Sequence, residues 1–354
     1  MMAAVVVAAV AARKEENDGH AADSSFTSSI SDRVKLNDGN SIPVVGLGVA
    51  LTAEATYDAV QYAMSIGYRL IDTAAEESYG NEDSVGQAIR EYNDNKTTST
   101  ETNVISREDM FVTTKLWDSD HGFYQTLEAF DESYDTLDIH NIDLYLIHSP
   151  FGGRLIETYD AMLLIQSRGY VKSIGVSNFG IQHLQILKVN GRPLPVVNQI
   201  EMHPLVYTYR LPLIMWCRQH NIQIQAYGSI MHGYDDLIEM DVLVKMARRY
   251  SKTTAQLLLR WALQHEFLII PKSTRKERIF ENSQLYDFAI SEEDMEILDH
   301  LGDEITLDSD KNVYKRDWNW NPIDEAPVHL GYIHYWPDYM NVHYDEDVVE
   351  NEEL

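Results

Sequence analysis

The sequence predicts an α/β protein, a (β/α)8 TIM barrel with an N-terminal hairpin and a long, aromatic-rich C-terminal extension. Three observations support this: the number of short apolar stretches, the helical periodicity between them, and the polar residues that end several of them. The apolar stretches lie at residues 44–49, 68–72, 110–115, 142–148, 171–176, 196–199, 222–227 and 267–270. Helical spacing occurs at residues 55–66, 83–92, 124–137, 157–167 and 211–220.

These strands favour a closed barrel over an open sheet. Strands that are apolar along most of their length are typical of a parallel sheet buried on both faces. Eight of them, most followed by a helix, fit the barrel count. The Gly-rich dinucleotide fingerprint is also absent, because Gly46-Leu47-Gly48 lacks a third glycine at the required spacing and opens no helix.

The barrel is predicted over residues 33–302, between two flanking segments. Residues 13–32 are polar and without hydrophobic period, and residues 1–32 as a whole are predicted to be a disordered leader. Asn37-Asp38-Gly39-Asn40, set between apolar residues, predicts the hairpin. Residues 303–354 form the extension, which ends in an acidic tail. We expect its aromatic residues to pack on the barrel; they are Trp318, Trp320, Tyr332, Tyr335, Trp336, Tyr339 and Tyr344.

Composition excludes several functional classes. The 354 residues include 56 acidic and 28 basic ones, a net charge of -28, which argues against nucleic acid as a partner. Cys217 is the single cysteine, so the chain has no intrachain disulfide and we expect no metal site built from cysteines. Residues 1–12 form an apolar run that is too short to span a bilayer as a helix. The run lacks the basic segment that begins a typical signal peptide. A cytoplasmic protein with no membrane partner is expected, and a secretory or ER route is the less favoured alternative.

Four titratable residues are predicted to form a proton-donating site. Asp72, Lys115 and His148 each follow or end an apolar stretch, and catalytic groups of barrels lie at the C-terminal ends of strands. Tyr79 lies in a nearby loop. A free tyrosine titrates near 10, and an adjacent ammonium from Lys115 is expected to lower that pKa. Asp72 would hold the ammonium in place, and His148 would orient a substrate carbonyl.

A basic segment follows the last predicted strand. Residues 271–278 contain four cations in a strongly acidic chain, and they open a helix. Backbone donors and the helix dipole add to the side-chain charge, so the segment is typical of a phosphate site. An ordinary basic helix start is the alternative.

Several longer motifs resemble one family. They are Gly67-Tyr68-Arg69-Leu70-Ile71-Asp72-Thr73-Ala74, Tyr79-Gly80-Asn81-Glu82, Val171-Lys172-Ser173-Ile174-Gly175-Val176-Ser177-Asn178-Phe179, Asn198-Gln199-Ile200-Glu201-Met202-His203-Pro204, Ile270-Pro271-Lys272-Ser273 and Arg278-Ile279-Phe280-Glu281-Asn282. Over residues 34–302 the chain resembles an aldo-keto reductase.

The resemblance implies reduction of an aldehyde or ketone, a small-molecule carbonyl substrate, by NADPH without a metal. Tyr79 would be the general acid, with Lys115 and Asp72 as its tuners and His148 orienting the carbonyl. The cofactor residues implied are Ser177, Asn178 and Gln199 for the nicotinamide carboxamide, Tyr227 for stacking on its ring, Lys272, Ser273, Thr274 and Arg278 around the 2′-phosphate, and Glu281 and Asn282 at the adenine. A monomer is expected by analogy with the family.

The chain departs from the family pattern near the substrate. Tyr79 lies seven residues after Asp72 instead of five, which reads as an insertion of Glu76-Glu77 that a bulged loop must absorb. Ala50 and Ser149 replace two tryptophans, so with Trp117 they predict a wider, more polar pocket. Gly228-Ser229 also replaces a Ser-Pro pair after the stacking tyrosine.

These departures keep other functions open. One is a catalytically weak, cofactor-binding regulatory or scaffold protein on the same barrel. Another is an isomerase of phosphorylated substrates on an unrelated barrel, which explains the basic segment but not the nicotinamide motifs.

Overall fold

A computed structural model of the chain describes residues 28–75, 78–92, 104–305 and 323. Of the predicted leader, residues 28–32 are described, and Ile30 among them packs against the core. Of the predicted extension, residues 303–305 and Ile323 are described. The remaining leader and extension, including all seven aromatic residues of the extension, lie outside the described residues.

Within the described residues, ten strands form two sheets. The strands are β1 Arg33–Lys35, β2 Ser41–Pro43, β3 Leu47–Gly48, β4 Leu70–Asp72, β5 Phe111–Leu116, β6 Ile142–Ile147, β7 Val171–Ser177, β8 Val197–Glu201, β9 Gln223–Tyr227 and β10 Leu268–Ile269. Strands β3 to β10 form one sheet in sequential order, with every neighbouring pair parallel.

The two edges of this sheet meet. Parallel bridges join Val45 to Ile269 and Gly48 to Lys272, and Gly46 N donates to the Ile269 carbonyl oxygen at 2.8 Å. Strand β3 is shorter than the predicted strand 44–49, because part of that segment is joined to β10 by these isolated bridges. The predicted (β/α)8 fold is confirmed.

Helices surround the barrel. They are α1 Thr56–Ser65, α2 Glu82–Glu91, α3 Phe123–Leu137, α4 Leu155–Ser167, α5 Ile181–Val189, α6 Tyr207–Gln219, α7 Asp235–Ile238, α8 Asp241–Arg249, α9 Thr254–Gln264, α10 Lys276–Ser283, α11 Glu292–Asp299 and α12 Leu301–Ile305. Their apolar faces pack on the strands in one continuous buried core. No helix in the described ranges has both the length and the apolar character needed to cross a membrane.

The predicted hairpin is present, with β1 and β2 antiparallel. Its turn contains Gly39 at φ +91°, a left-handed conformation that favours glycine. Asn37 Nδ2 donates to the Pro195 carbonyl oxygen at 3.1 Å, and Ser173 Oγ donates to Asp38 at 2.6 Å. The hairpin is thereby attached to the segments around β7 and β8. The opposite, C-terminal ends of the strands carry the candidate site.

Candidate active site

The C-terminal ends of two neighbouring strands, β4 and β5, bring Asp72 and Lys115 together. Lys115 Nζ lies 2.5 Å from Asp72 Oδ1, and the side chains are 0% and 3% exposed. The ammonium also donates to the Thr73 carbonyl oxygen at 2.7 Å, and Asp72 Oδ2 accepts from Gln199 Nε2 at 2.7 Å. A buried ion pair is held firmly when its remaining atoms are hydrogen-bonded in this way. The predicted pairing of Asp72 with Lys115 is therefore present.

Tyr79 lies beside this pair in spite of the two-residue insertion. Its ring centroid is 4.8 Å from Lys115 Nζ. The backbone of Ala75 explains the placement, because Ala75 N donates to the Lys115 carbonyl oxygen at 3.2 Å and Tyr79 N donates to the Ala75 carbonyl oxygen at 3.0 Å. Glu76 and Glu77 lie outside the described residues.

The chain after Tyr79 is anchored by two buried side chains. Asn81 Nδ2 donates to the Val49 carbonyl oxygen at 2.7 Å, and Asn81 Oδ1 accepts from Thr73 Oγ1 at 2.6 Å. Glu82 accepts from Thr114 Oγ1 at 2.5 Å. The Tyr79 loop is thus fixed to β4 and β5 on both sides of the tyrosine.

The protonation states differ from the sequence-based expectation for Tyr79. Burial has the largest effect and raises the pKa of Tyr79; Lys115 lowers it, Asp72 raises it, and the result lies above the ordinary value. The expectation of a lowered pKa is wrong, because burial outweighs the ammonium. Burial also lowers the pKa of Lys115, but Asp72 and Tyr79 raise it above its usual value. At neutral pH the site holds a protonated phenol and a charged ammonium.

His148 completes the group. Its ring is 5.7 Å from the Tyr79 ring and 4.9 Å from the Trp117 ring, both in edge-to-face geometry. Its Nδ1 is 3.4 Å from Ser78 Oγ. Burial, followed by the charge of Lys115, holds the pKa of His148 well below its usual value. The imidazole is therefore neutral and carries one N–H group.

The predicted nicotinamide residues lie together at the ends of β7, β8 and β9. Asn178 Nδ2 donates to the His148 carbonyl oxygen and to Ser177 Oγ, each at 2.9 Å. Tyr227 donates to Asn178 Oδ1 at 2.8 Å. Gln199, besides its bond to Asp72, donates to Gln225 Oε1 at 2.8 Å. Ser177 Oγ donates to the Gln199 carbonyl oxygen at 2.9 Å, which joins these residues into one polar network that continues to the Asp72–Lys115 pair.

The predicted phosphate residues lie across the barrel seam. Lys272 is paired with Gly48, whose other neighbour in the sheet is Asp72. Lys272 and Arg278 are exposed, and within the described parts of the chain their side chains form no ion pair. Ser273 Oγ accepts from Arg275 N at 3.2 Å just before helix α10.

Three further predicted cofactor residues lie in or just before helix α10. Thr274 is exposed and Asn282 is buried. Glu281 accepts from Thr253 Oγ1 at 2.7 Å. The predicted cofactor residues are therefore divided between the network at β7 to β9 and residues 272–282, which include most of helix α10.

The two replaced tryptophan positions differ in exposure. Ala50 is half-buried, whereas Ser149 is fully buried and donates to Asp118 Oδ1 at 2.6 Å. Burial raises the pKa of Asp118 to about 7, although the Ser149 hydrogen bond lowers it. Nearby, His121 donates through Nδ1 to the Gly153 carbonyl oxygen at 2.7 Å. Burial lowers the pKa of His121 to about 4, and Arg154 acts in the same direction.

Some neighbours of the site were missed by sequence reasoning. Ser78 and Gln225 contact predicted residues, but polar residues at a turn or strand give no signal alone. Asp118 follows Trp117, and its buried pairing with Ser149 depends on two loops that meet only in the fold. Glu82 belongs to the motif that contains Tyr79, so the motif itself was a usable signal for its anchoring role.

Comparison with known proteins identifies the family. The sequence profile of the Aldo/keto reductase family matches residues 45–303. The chain belongs to this family. It is an oxidoreductase, and the resemblance in its motifs is confirmed.

Individual relatives and structures agree with this assignment. The oxidoreductase YtbE of Bacillus subtilis is 40% identical over 287 residues, which cover 80% of this chain and 98% of YtbE. Glyoxal reductase of the same organism is 39% identical over 276 residues, covering 77% and 94%. The structure of a Bombyx mori aldo-keto reductase in complex with NADP has a TM-score of 0.68 at 34% identity, covering 76% of this chain and 92% of that one.

Proposed function

We propose that this aldo-keto reductase reduces an aldehyde or ketone to an alcohol with NADPH, using Tyr79 as the general acid. The observation that carries the proposal is the buried Asp72–Lys115 pair at 2.5 Å, with the Tyr79 ring over the ammonium. An active site needs a proton donor whose conjugate base is stabilised where it forms. The Lys115 ammonium is positioned to stabilise a Tyr79 phenolate.

The residues of the chain have distinct roles in this proposal. NADPH, when bound, supplies the hydride. His148, being neutral, donates a hydrogen bond to the substrate carbonyl oxygen, and Tyr79 transfers its proton to that oxygen as negative charge develops there. Asp72 keeps Lys115 in place. Because the pKa of Tyr79 is raised, the phenol remains protonated through the neutral range and is ready to donate.

The donor set also fits the cofactor. Ser177, Asn178 and Gln199 offer amide and hydroxyl groups of the kind that bind a carboxamide. Lys272 and Arg278 are exposed cations beside the start of an eight-residue helix, an arrangement that suits a phosphate. Phosphate recognition favours NADPH over NADH, and related proteins of the family have been solved with NADP or NADPH.

Glyoxal is a suitable first substrate, because the 39% identical relative from Bacillus subtilis is a glyoxal reductase. Purified full-length protein is expected to consume NADPH in its presence. The variant Tyr79→Phe is expected to lower kcat by about 10²- to 10⁴-fold, the usual contribution of a general acid, while NADPH binding is retained. Tyr124→Phe, at a side chain that is 78% exposed, is the matched control and should leave the rate unchanged.

The alternative of a cofactor-binding scaffold makes the opposite prediction. It requires tight NADPH binding without turnover on a broad panel of aldehydes, ketones and sugars. Its motivation was the altered spacing before Tyr79, and that residue lies next to Lys115 in the fold. A Tyr79→Phe variant as active as the wild type would exclude the proposed acid. A monomeric, cytoplasmic protein remains a prediction, which gel filtration and localisation of a tagged chain can test.

A further inference from the structure

A second cluster of titratable side chains lies beside the network that ends at Tyr227. Glu201, at the end of β8, is hydrogen-bonded through one oxygen to two imidazoles. The distances from Glu201 Oε1 are 3.1 Å to His203 Nε2 and 2.8 Å to His232 Nε2. The three potential ligand atoms all lie within 4.8 Å of one another. Asp72, Tyr79, Lys115 and His148 are not part of this cluster.

These three side chains are a suitable donor set for a divalent metal. Two imidazole nitrogens and one carboxylate oxygen leave a fourth position for water, as in open zinc sites. A tetrahedral zinc ion with ligands at about 2.0–2.1 Å requires neighbouring ligand atoms to be roughly 3.3 Å apart. The two nitrogen–oxygen distances are within about half an ångström of that separation. The two imidazole nitrogens are at most 4.8 Å apart, so side-chain rotations that bring them together would close the site around an ion.

The strand end and the exposure of the cluster support ion binding. Glu201 is paired with Tyr227 across β8 and β9, and Met202 N donates to the Tyr227 carbonyl oxygen at 3.1 Å. His203 is 3% exposed, whereas the side chains of Glu201 and His232 are 32% and 21% exposed. Two ligands are thus held by the strand end, and solvent can reach the cluster from the side of His232.

The third ligand comes from a tight turn. His232 has a φ of +55°, and Met231 N donates to the Gly228 carbonyl oxygen at 2.8 Å. Gly228 has a φ of +62°, and a Cβ atom there would lie 2.8 Å from His232 Nε2, so a larger residue would displace the imidazole from this position. Gly228 is one of the residues that depart from the family pattern, and this contact gives the departure a structural reason.

The geometry points to a Zn²⁺ site formed by Glu201, His203 and His232, which joins the end of β8 to the turn after β9. This goes beyond carbonyl reduction and does not rest on it. The net charge of -28 concentrates cations around the chain.

The test uses metal ions alone and the full-length, tag-free protein without cofactor. Chelator-treated protein is titrated with Co²⁺, whose visible absorption reports the coordination geometry, and Zn²⁺ then displaces it. The wild type is expected to bind one equivalent with a four-coordinate spectrum. The same titration without that spectrum, or without binding of an equivalent, overturns the proposal.

Two variants test whether Glu201 and His232 hold the bound metal ion. His232→Asn retains a side chain that tolerates positive φ, and Glu201→Gln keeps the size of the carboxylate. Each is expected to weaken binding at least about tenfold, since even the loss of a residue that only supports a metal ligand costs that much. The chain has 13 histidines, and His300 is an exposed one outside the cluster. His300→Asn is therefore the matched control and should bind Co²⁺ as the wild type does.

The outcomes separate a metal site from a hydrogen-bonded cluster. If wild type, His232→Asn and Glu201→Gln bind Co²⁺ equally, the ion is held elsewhere and the site is only a hydrogen-bonded contact. Thermal unfolding of each variant shows whether it is folded. If Glu201→Gln is not folded, the Co²⁺ titration of His232→Asn decides between the two outcomes. Zn²⁺ should also raise the unfolding temperature of the wild type but not that of His232→Asn, because a ligand stabilises the state that binds it.

Discussion

Two parts of the C-terminal face of the barrel hold charge in opposite ways. On the side proposed to be catalytic, called the catalytic side below, Lys115 and Asp72 are buried and joined at 2.5 Å. On the side of helix α10, Lys272 and Arg278 are exposed and have no ion pair within the described ranges. The two sides are close, because Gly48 is the sheet neighbour of both Asp72 and Lys272.

This difference in burial indicates which function each side can have, stabilisation of a transition state or binding of an anion. Charges interact more strongly in a buried, weakly polarisable site than in water, so a buried pair can stabilise a transition state without reorganising. Exposed cations are screened by salt and become effective when an anion arrives. We therefore expect substitutions on the catalytic side to change kcat and stability, and those on the α10 side to change the affinity for NADPH.

Among substitutions of the charged residues on the two sides, the largest effect is expected for Lys115→Met. Loss of the ammonium removes the group that we propose stabilises a Tyr79 phenolate, so kcat should fall by about 10²- to 10³-fold, as for the loss of one electrostatic donor. The variant also leaves the Asp72 carboxylate buried without its cation, at a cost of about 3–5 kcal/mol in the free energy of unfolding. Steady-state kinetics and urea unfolding at neutral pH measure the two effects.

A double variant separates the two effects. Asp72→Asn with Lys115→Met replaces the ion pair by neutral groups, so much of the lost stability should return while kcat stays low. If kcat returns together with stability, the pair supports only the fold. If Lys115→Met alone lowers neither kcat nor the free energy of unfolding, the buried pair is needed for neither catalysis nor stability.

A smaller effect is expected for Arg278→Gln. A charge-assisted hydrogen bond contributes about 1.5–3 kcal/mol, so the KM for NADPH should rise by about ten- to a hundredfold with kcat and stability unchanged. The preference for NADPH over NADH should fall by the same factor, because NADH lacks the phosphate. Arg248→Gln, at another exposed arginine, is the control. A fall in kcat at saturating NADPH would show that the two sides are not separate in function.

The sequence was informative where a residue is fixed by a regular element. Asp72 ends β4, Lys115 lies near the end of β5 and His148 follows β6, so strand periodicity was enough to bring them to one face. Tyr79 was uncertain because its place depends on a loop, and hydrogen bonds of Ala75 and Asn81 decide it.

Burial was the property that the sequence could not supply. It reverses the expected shift in the pKa of Tyr79, because desolvation exceeds the effect of Lys115. Burial also excludes water from Ser149, and its hydroxyl donates a hydrogen bond to Asp118 instead. The sequence did not predict the contact of His232 with Glu201, because that contact depends on a turn with positive φ. No sequence motif indicates this turn.

The smallest effect concerns pH and lies on the buried side. His121 has a folded pKa of about 4 against about 6.5 in an unfolded chain. The unfolded state therefore binds a proton first as the pH falls, and the folded state loses stability between pH 6.5 and 4. The loss from this histidine should be about 1 kcal/mol between pH 6.5 and 5.5.

His121→Asn, which keeps a donor near Gly153, should remove that part of the pH dependence. Urea unfolding of the variant and the wild type at pH 6.5 and 5.5 measures it, with His300→Asn as the exposed control. Equal pH dependence in all three proteins would mean that His121 is accessible to protons when folded. Burial would then not govern protonation on the catalytic side, and the contrast with the exposed cations of α10 would lose its physical basis.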